Sequence, residues 1–129
     1  MNMYNEENTS LNRKQKKELQ MLYANYYSQQ DFFNIVTFGD SMLPEIQSGD
    51  IVTIKVVNTH EQLKVGDIIF YKNPILYTGN LFVVHRLVWI AGDEFIAKGD
   101  NCSITDPKMR VSNILGVVVD IQKCLANDE

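Results

Sequence analysis

The feature that most constrains the fold is a succession of short apolar runs between residues 35 and 123. Each run is five to ten residues long and rich in valine, isoleucine and aromatic residues, which favours strands over helices. Turn residues, chiefly glycine, aspartate, asparagine and proline, separate the runs. We therefore predict a mainly β domain. The runs are NIVTF, IVTIKVV, DIIFYK, LFVVHRLVWI, EFIAK and ILGVVVDIQK.

The chain before this region has a different character. Residues 1–9 are polar, and we predict that they are disordered. Ser10 can cap an amphipathic helix that runs to about residue 30. The sequence thus predicts a disordered start and a helix over residues 1–30, and one domain over residues 31–129. The apolar residues of the helix recur at helical spacing and are Leu19, Leu22, Tyr23 and Tyr26.

The charge pattern bears on partners and location. The net charge of −4 gives no overall attraction to nucleic acid, and we expect none as a partner. Basic residues cluster at positions 13–17, which form either a solvated helix face or a patch for phosphate or a membrane. The polar start is no secretory signal, and no apolar run approaches the ~20 residues of a membrane span. We predict a cytoplasmic protein, with peripheral membrane association through a partner left open.

Cysteine usage predicts no metal or redox site. The two cysteines, Cys102 and Cys124, lack both CxxC spacing and a Cys/His ligand pattern. Free thiols are the default, and a disulfide between them stays open. We predict no cofactor.

Ser41 lies in the segment TFGDSMLPEIQSGD, between two Gly-Asp pairs. A serine in such a turn either caps or bonds the local backbone, or it is a nucleophile that needs a positioned base. The chain has two histidines. His60 lies in a polar connection, where a structural or solvent-facing role is expected. His85 lies in an apolar run whose alternation places Val83, His85 and Leu87 on one face and Val84 and Arg86 on the other.

A histidine base also needs a third group. Imidazole can take the hydroxyl proton and return it to the leaving amine, while a carboxylate that accepts its other N–H fixes the tautomer. Asp100 and Asp106 both lie in the segment KGDNCSITDP, just after the run EFIAK. If this run and that of His85 form a hairpin around AGDE, the segment returns to the histidine, and either aspartate can reach it.

The order of these motifs resembles the signal peptidase and LexA-like superfamily of serine peptidases. The boxes GDSMLPEIQSGDIVTI, VGDIIFYK, FVVHRLV, FIAKGDNCSITD and ILGVVV follow the family's order across residues 36–119. The resemblance implies an antiparallel β domain. It also implies a serine endopeptidase that cleaves a signal-like or leader peptide from a precursor polypeptide. His85 stands where bacterial type I signal peptidases have lysine, as in the archaeal and endoplasmic-reticulum-type enzymes.

The resemblance implies roles for individual residues. Ser41 would be the nucleophile, His85 its base and Asp106 the third member, while Asp100 would shape the loop or assist. Local chemistry favours the same division. Asp100 follows a glycine, as turn aspartates do, and we expect it to bond nearby backbone N–H groups such as those of residues 102 and 103. Asp106 precedes Pro107, which keeps it extended and free to point towards the histidine.

The remaining implied features concern the substrate. An extended peptide would lie along a strand edge, with Met42, Val83 and Val84 lining shallow pockets. Gly39 stands where signal peptidases usually have a serine that donates to the oxyanion hole. We therefore expect backbone N–H groups, that of Ser41 and a neighbour, to form the hole. The family's usual membrane anchor is missing, so we expect a soluble precursor or an enzyme recruited by a membrane-associated partner.

Two alternatives stay open. A LexA-like regulator would cleave itself at an Ala-Gly or Cys-Gly bond and carry a DNA-binding domain. The only Ala-Gly pair, Ala91-Gly92, falls in a predicted hairpin turn, and about 30 residues before the β domain leave no room for a helix-turn-helix unit. The other alternative is a peptide-binding module of the same fold that has little catalytic power.

Overall fold

The computed structural model describes residues 31–59, 62–74 and 82–124, which form one antiparallel sheet of seven strands. About half of these residues lie in strands, so the prediction of a mainly β fold is confirmed. The predicted disordered start and amphipathic helix lie outside the described residues. The strands are β1 (Phe32–Val36), β2 (Ile51–Val56), β3 (Ile68–Lys72), β4 (Phe82–Ala91), β5 (Glu94–Lys98), β6 (Met109–Arg110) and β7 (Ile114–Gln122).

The sheet order is β1-β2-β7-β3-β4-β5-β6, and the sheet curls so that its central strands are covered on both faces. Alternate residues of β3 and β4 enter two separate cores. Phe70 and Val84 pack with residues of β1 and β2, whereas Tyr71 and Val83 pack with residues of β5 and β6. Burial on both faces explains why these two runs are apolar almost throughout.

The predicted hairpin around AGDE is confirmed. Strands β4 and β5 pair antiparallel, with Ala91 opposite Glu94, and Gly92 in the turn has a φ of 60°. The chain that leaves β5 therefore returns beside the middle of β4. This places the loop of residues 99–107 next to His85.

Two elements differ from the prediction. Strand β1 begins at Phe32, before the run NIVTF, because Phe33 packs inward beside Phe70. Strand β6 was not predicted, since two residues are too short to show an alternating pattern. Its pairing with β5, followed by one 3-10 turn at Val111–Asn113, is a tertiary event. No helix within the described ranges is long and apolar enough to cross a membrane.

Candidate active site

Ser41 belongs to a loop of residues 37–50 that two buried polar residues close at its base. The N–H and the hydroxyl of Thr37 both donate to the carbonyl of Asp50, each at 2.9 Å. The N–H of Gly49 donates back to the carbonyl of Thr37 at 2.8 Å. Because Thr37 and Asp50 are fully buried, the loop starts and ends at a fixed point beside β1.

The carboxylate of Asp50 ties this loop to the chain after β7. Its two oxygens accept the N–H of Gln47 at 2.8 Å and the N–H of Cys124 at 2.7 Å. The Lys123 ammonium lies 2.6 Å from the first of these oxygens. Burial alone would raise the pKa of Asp50, but the hydrogen bonds from Lys123, Gln47 and Cys124 together lower it. Asp50 is therefore an ionised structural residue.

Ser41 opens a turn that is anchored in the core. The N–H of Ile46 donates to the carbonyl of Met42 at 2.9 Å, and both side chains are fully buried in the core on the β1 side. Ser41 itself is half-buried. The buried side chains of Met42 and Ile46 anchor the turn in the core. The hydroxyl of Ser41 therefore lies at the surface on an anchored turn.

His85 meets Ser41 from the middle of β4. It lies on the same face of the strand as Val83 and Leu87, as alternation predicted, and it is buried. Its Nε2 lies 3.1 Å from the Oγ of Ser41, and its Nδ1 lies 2.6 Å from Oδ2 of Asp106. A neutral imidazole that donates its Nδ1–H to the carboxylate has a free lone pair on Nε2, which can accept the serine proton.

The two candidate aspartates occupy opposite faces of β4. Asp106 contacts His85, as the sequence predicted, and its own N–H donates to the carbonyl of Ala97 at 2.8 Å, which fixes the far end of the loop. The prediction that the carboxylate of Asp100 bonds nearby backbone N–H groups is wrong. Its carboxylate pairs with Arg86, with Nε to Oδ1 at 2.9 Å and Nη2 to Oδ2 at 2.8 Å. A guanidinium fork matches a carboxylate at two points, so it outcompetes single local N–H groups.

Arg86 also donates through Nη1 to the carbonyl of Gly66 at 2.7 Å. The hydrogen bonds from Arg86 are the largest effect on the pKa of Asp100, which is lowered despite partial burial. The loop of residues 99–107 is thus held at its start by an ion pair and at its end by the contact with His85. Consecutive residues of β4 make these two contacts because strand side chains alternate between faces.

The same loop is bonded directly to the serine turn. The N–H of Asn101 donates to the carbonyl of Ser41 at 2.8 Å, and its side-chain amide donates to the carbonyl of Asp40 at 3.1 Å. A Cβ at Gly99 would lie 2.8 Å from the carbonyl oxygen of Ser41 and 3.1 Å from Nε2 of His85. Glycine is needed here for close approach, because any side chain would separate the serine from the histidine.

The environment of His85 favours the neutral imidazole. Burial is the largest effect and lowers its pKa, while the hydrogen bond and charge of Asp106 and the charge of Asp100 oppose it. The net effect is a pKa below the ordinary value of about 6.5. At neutral pH the residue is therefore available as a base.

Sequence reasoning missed one residue of the site, Tyr71. Its hydroxyl donates to Oδ2 of Asp106, the same oxygen that contacts His85. Alternation along β3 places Tyr71 on the face of the sheet that His85 occupies, and a buried tyrosine hydroxyl requires a partner. Those two considerations together are the signal that could have found it.

The predicted substrate-lining residues do not form an open surface. Met42, Val83 and Val84 are 0%, 2% and 0% exposed, and all three are core residues. The prediction that they line pockets for a peptide disagrees with this burial. Strand β4 is central and covered on both faces, so its apolar residues pack inward, and the sulfur of Met42 accepts the N–H of Asp100 at 3.3 Å.

The predicted oxyanion donors are backbone N–H groups, that of Ser41 and a neighbour. Gly39 has a φ of 94°, and space is open on the side where a Cβ would project. Among the described residues, none accepts a hydrogen bond from the N–H of Ser41. Cys102 and Cys124 are not joined in a disulfide, and the Sγ of Cys102 lies 2.7 Å from the position of a Gly99 Cβ, close to the site. His60 lies outside the described residues.

Comparison with protein families and with curated proteins identifies no relative. No protein-family model matches the chain, and no curated protein matches it. What can be inferred about its activity therefore depends on the geometry of this site and on the order of its sequence motifs.

Proposed function

We propose that this protein is a serine endopeptidase that cleaves a signal-like or leader peptide from a precursor polypeptide. The observation that carries the proposal is the hydrogen-bonded series Ser41–His85–Asp106, with contacts of 3.1 and 2.6 Å. The three residues are far apart in sequence and come from a turn, a strand and a loop. The resemblance of the five sequence boxes to the signal peptidase and LexA-like superfamily supports the same activity.

In the acylation step, the Oγ of Ser41 bonds to the carbonyl carbon of the scissile peptide, and its proton passes to Nε2 of His85. Asp106 keeps the proton on Nδ1 and stabilises the imidazolium that forms. When the intermediate collapses, the C–N bond breaks and the leaving amine takes the proton from Nε2. Water then attacks the carbonyl carbon of the acyl ester and gives a proton to Nε2. When this second intermediate collapses, the C–Oγ bond breaks, the product carboxylic acid is released, and the Oγ of Ser41 takes the proton back from Nε2.

The negative oxygen that develops during both steps needs donors. We assign the backbone N–H of Ser41 as one of them, since it lies on the nucleophile itself and has no acceptor among the described residues. Gly39 supplies no hydroxyl, so the hole consists of backbone groups. An oxyanion hole of this kind favours the transition state only if the turn is rigid, and burial of Met42 and Ile46 supports such rigidity.

An extended peptide suits the surface beside Ser41. Among the described strands β1 pairs only with β2, so no described strand occupies its other edge. Phe32 and Val36, at the two ends of β1, are exposed, and β1 leads directly into the serine loop. A substrate added to this edge would gain main-chain hydrogen bonds and would approach Ser41. Such binding selects a flexible segment, as a leader or signal-like peptide is, over a folded domain.

Two other functions of the same fold are less well supported. Self-cleavage of the LexA-like kind would need Ala91-Gly92 at the nucleophile. That bond lies in the β4–β5 turn, six residues and about 20 Å along the strand from His85. A binding module without catalysis would not need a histidine base and a carboxylate aligned on one serine. Peptide capture without cleavage is nevertheless a distinct outcome of the experiment below.

The experiment is a cleavage assay with a library of unfolded peptides, in which mass spectrometry identifies new termini. The wild-type protein should produce termini that share a short motif, and Ser41→Ala should produce none of them. Removal of one member of such a unit lowers kcat by several orders of magnitude. An acyl-enzyme trapped by rapid acid quenching should carry the added mass on Ser41.

The matched control is Ser48→Ala, an exposed serine of the same loop. This variant should retain the full set of termini, which shows that loss in Ser41→Ala reflects the hydroxyl and not the loop. Equal cleavage by wild type and Ser41→Ala would overturn the proposal. So would stable peptide binding with no new termini, which would favour the binding module.

A further inference from the structure

We propose that Tyr71 is a positioning residue for the site, whose hydroxyl fixes Asp106 and tunes the strength of its bond to His85. This inference rests on the proposed function. It extends the Ser41–His85–Asp106 series by one residue that comes from a different strand.

The geometry makes Asp106 a shared acceptor. Oδ2 of its carboxylate accepts both the Tyr71 hydroxyl and the Nδ1–H of His85. Asp106 lies on a loop, so its carboxylate would otherwise be held only by the imidazole that it is meant to orient. A second donor from a central strand gives the carboxylate a fixed position that does not depend on the histidine.

The sheet register sets Tyr71 at this point. Tyr71 lies opposite Val83 and Ile69 lies opposite His85, so Tyr71 and His85 are diagonal neighbours on one face. The ring of Tyr71 is fully buried and meets the ring of Phe95 edge-on, with centroids 5.2 Å apart. The ring is therefore fixed in the core, and its hydroxyl reaches Asp106 on the loop.

The hydroxyl can act only as a donor to the carboxylate. Burial, reinforced by the charge of Asp106, raises the pKa of Tyr71 far above its ordinary value, so the group stays protonated. A carboxylate oxygen that accepts two hydrogen bonds shares its charge between them. Without the hydroxyl, more of that charge would act on His85, and imidazolium would be favoured at a higher pH.

Other titratable groups also face His85, and their effects must be separated from that of Tyr71. Asp106 and Cys102 approach from the loop, Ser41 approaches from the turn, and Asp100 acts through its charge while paired with Arg86. Tyr71→Phe removes none of these groups, and the one that it changes directly is Asp106, which loses a hydrogen bond. That substitution keeps the ring and removes one oxygen.

The test is an NMR titration of His85 in the full chain, with His60→Gln present throughout so that one imidazole signal remains. Tyr71→Phe should raise the pKa of His85 by roughly 0.5 or more. In an Asp106→Asn background, Tyr71→Phe should cause a much smaller shift, because the charge that it redistributes is gone. With a substrate peptide, Tyr71→Phe should lower kcat about tenfold and leave KM nearly unchanged.

The control is Phe95→Leu, which removes the ring contact of Tyr71 but keeps its hydroxyl. It should lower the melting temperature and leave the titration of His85 where it was. An unchanged pKa of His85 in Tyr71→Phe would overturn the proposal, as would a shift of equal size in Phe95→Leu. Because the titration needs no substrate, failure of the proposed peptidase activity would be recognised separately.

Discussion

The Gly-Asp pairs at residues 49–50 and 99–100 have the same sequence but different structural roles. Gly49 has a φ of 95°, so glycine is required there by backbone conformation. Gly99 has an ordinary φ and is required by space, because the serine turn and the imidazole approach it closely. One glycine makes a turn possible, whereas the other brings two chemical groups into contact.

The aspartates of the two regions differ in the same way. Asp50 is fully buried, and its donors include two backbone N–H groups, so it holds the backbone together. Asp100 and Asp106 bond the side chains of Arg86 and His85, so they position functional groups. A turn aspartate is thus structural or functional according to whether backbone or side-chain donors face its carboxylate. Substitutions in the two regions should therefore separate stability from activity.

The largest contrast is expected between Asp106→Asn and Asp50→Asn. Asp106→Asn should lower kcat about 10³-fold with little change in melting temperature, because the imidazolium loses its counter-charge. The loss should be smaller than the ~10⁴-fold caused by a wrong tautomer, since the amide oxygen can still accept from both Tyr71 and His85. Steady-state kinetics and calorimetry on the two variants measure this contrast.

Asp50→Asn should have the opposite effect. Both oxygens of Asp50 accept hydrogen bonds, so the amide nitrogen of asparagine would face a donor inside the protein. The cost should be about 3 kcal/mol in the free energy of unfolding. The folded fraction should retain the wild-type kcat. A normal stability for Asp50→Asn, or an unfolded Asp106→Asn, would remove the distinction between the two regions.

Substitution of the two glycines should likewise affect activity at one position and stability at the other, with smaller effects than the aspartate substitutions. Gly99→Ala would place its methyl group 2.8 Å from the carbonyl oxygen of Ser41, so the turn or His85 must move by several tenths of an ångström. Misplacement of this kind should lower kcat about 10²-fold. Gly49→Ala should instead cost about 1–2 kcal/mol of stability through its positive φ, with kcat retained. Equal kcat values for the two variants would contradict the close-approach role of Gly99.

The Arg86–Asp100 pair should have an intermediate effect. Its side chains are 30% and 21% exposed, so solvent screens the pair in part. Asp100→Asn should lower stability by about 1 kcal/mol and kcat by only a fewfold, because the loop loses one anchor while Asp106 keeps its contacts. The matched control is Asp93→Asn, whose pair with Arg110 is 72% and 66% exposed and should contribute almost nothing. A large loss of kcat in Asp100→Asn would give Asp100 a direct role in the chemistry.

The smallest expected effects are those of pH on stability. The pKa of His85 is lower in the folded protein than in the unfolded chain, so on acidification the unfolded chain binds a proton at a higher pH than the folded protein does. The free energy of unfolding therefore falls as pH drops below about 6.5. Asp50 and Asp100 also have lowered pKa values, and their stabilisation is lost at lower pH, below the ordinary aspartate value of 3.8. Urea unfolding at several pH values should show both phases in wild type, and His85→Gln should lack the upper one. The acid limb of kcat/KM should likewise lie below pH 6.5.

Much of the fold followed from local pattern. Six runs predicted the strands other than β6, and the AGDE turn predicted the β4–β5 hairpin, because alternation and turn chemistry are properties of neighbouring residues. The pairing of Asp106 with His85 followed from reasoning about a residue before proline together with the family resemblance of the motifs, since the hairpin alone allowed either aspartate to reach the histidine. The pairing of Asp100 with Arg86 did not follow from the sequence, since nothing in the segment around Asp100 indicates that Arg86 would reach it.

The sequence by itself determined which chemical groups are present and on which face of each strand they lie. It placed His85 and Arg86 on opposite faces of β4. It also predicted the hairpin that returns the loop of residues 99–107 towards both residues. Only the tertiary structure decided that Met42, Val83 and Val84 are core residues and that Tyr71 joins the site. Curling of the sheet covers both faces of its central strands, and burial and shared acceptors depend on residues that lie far apart along the chain.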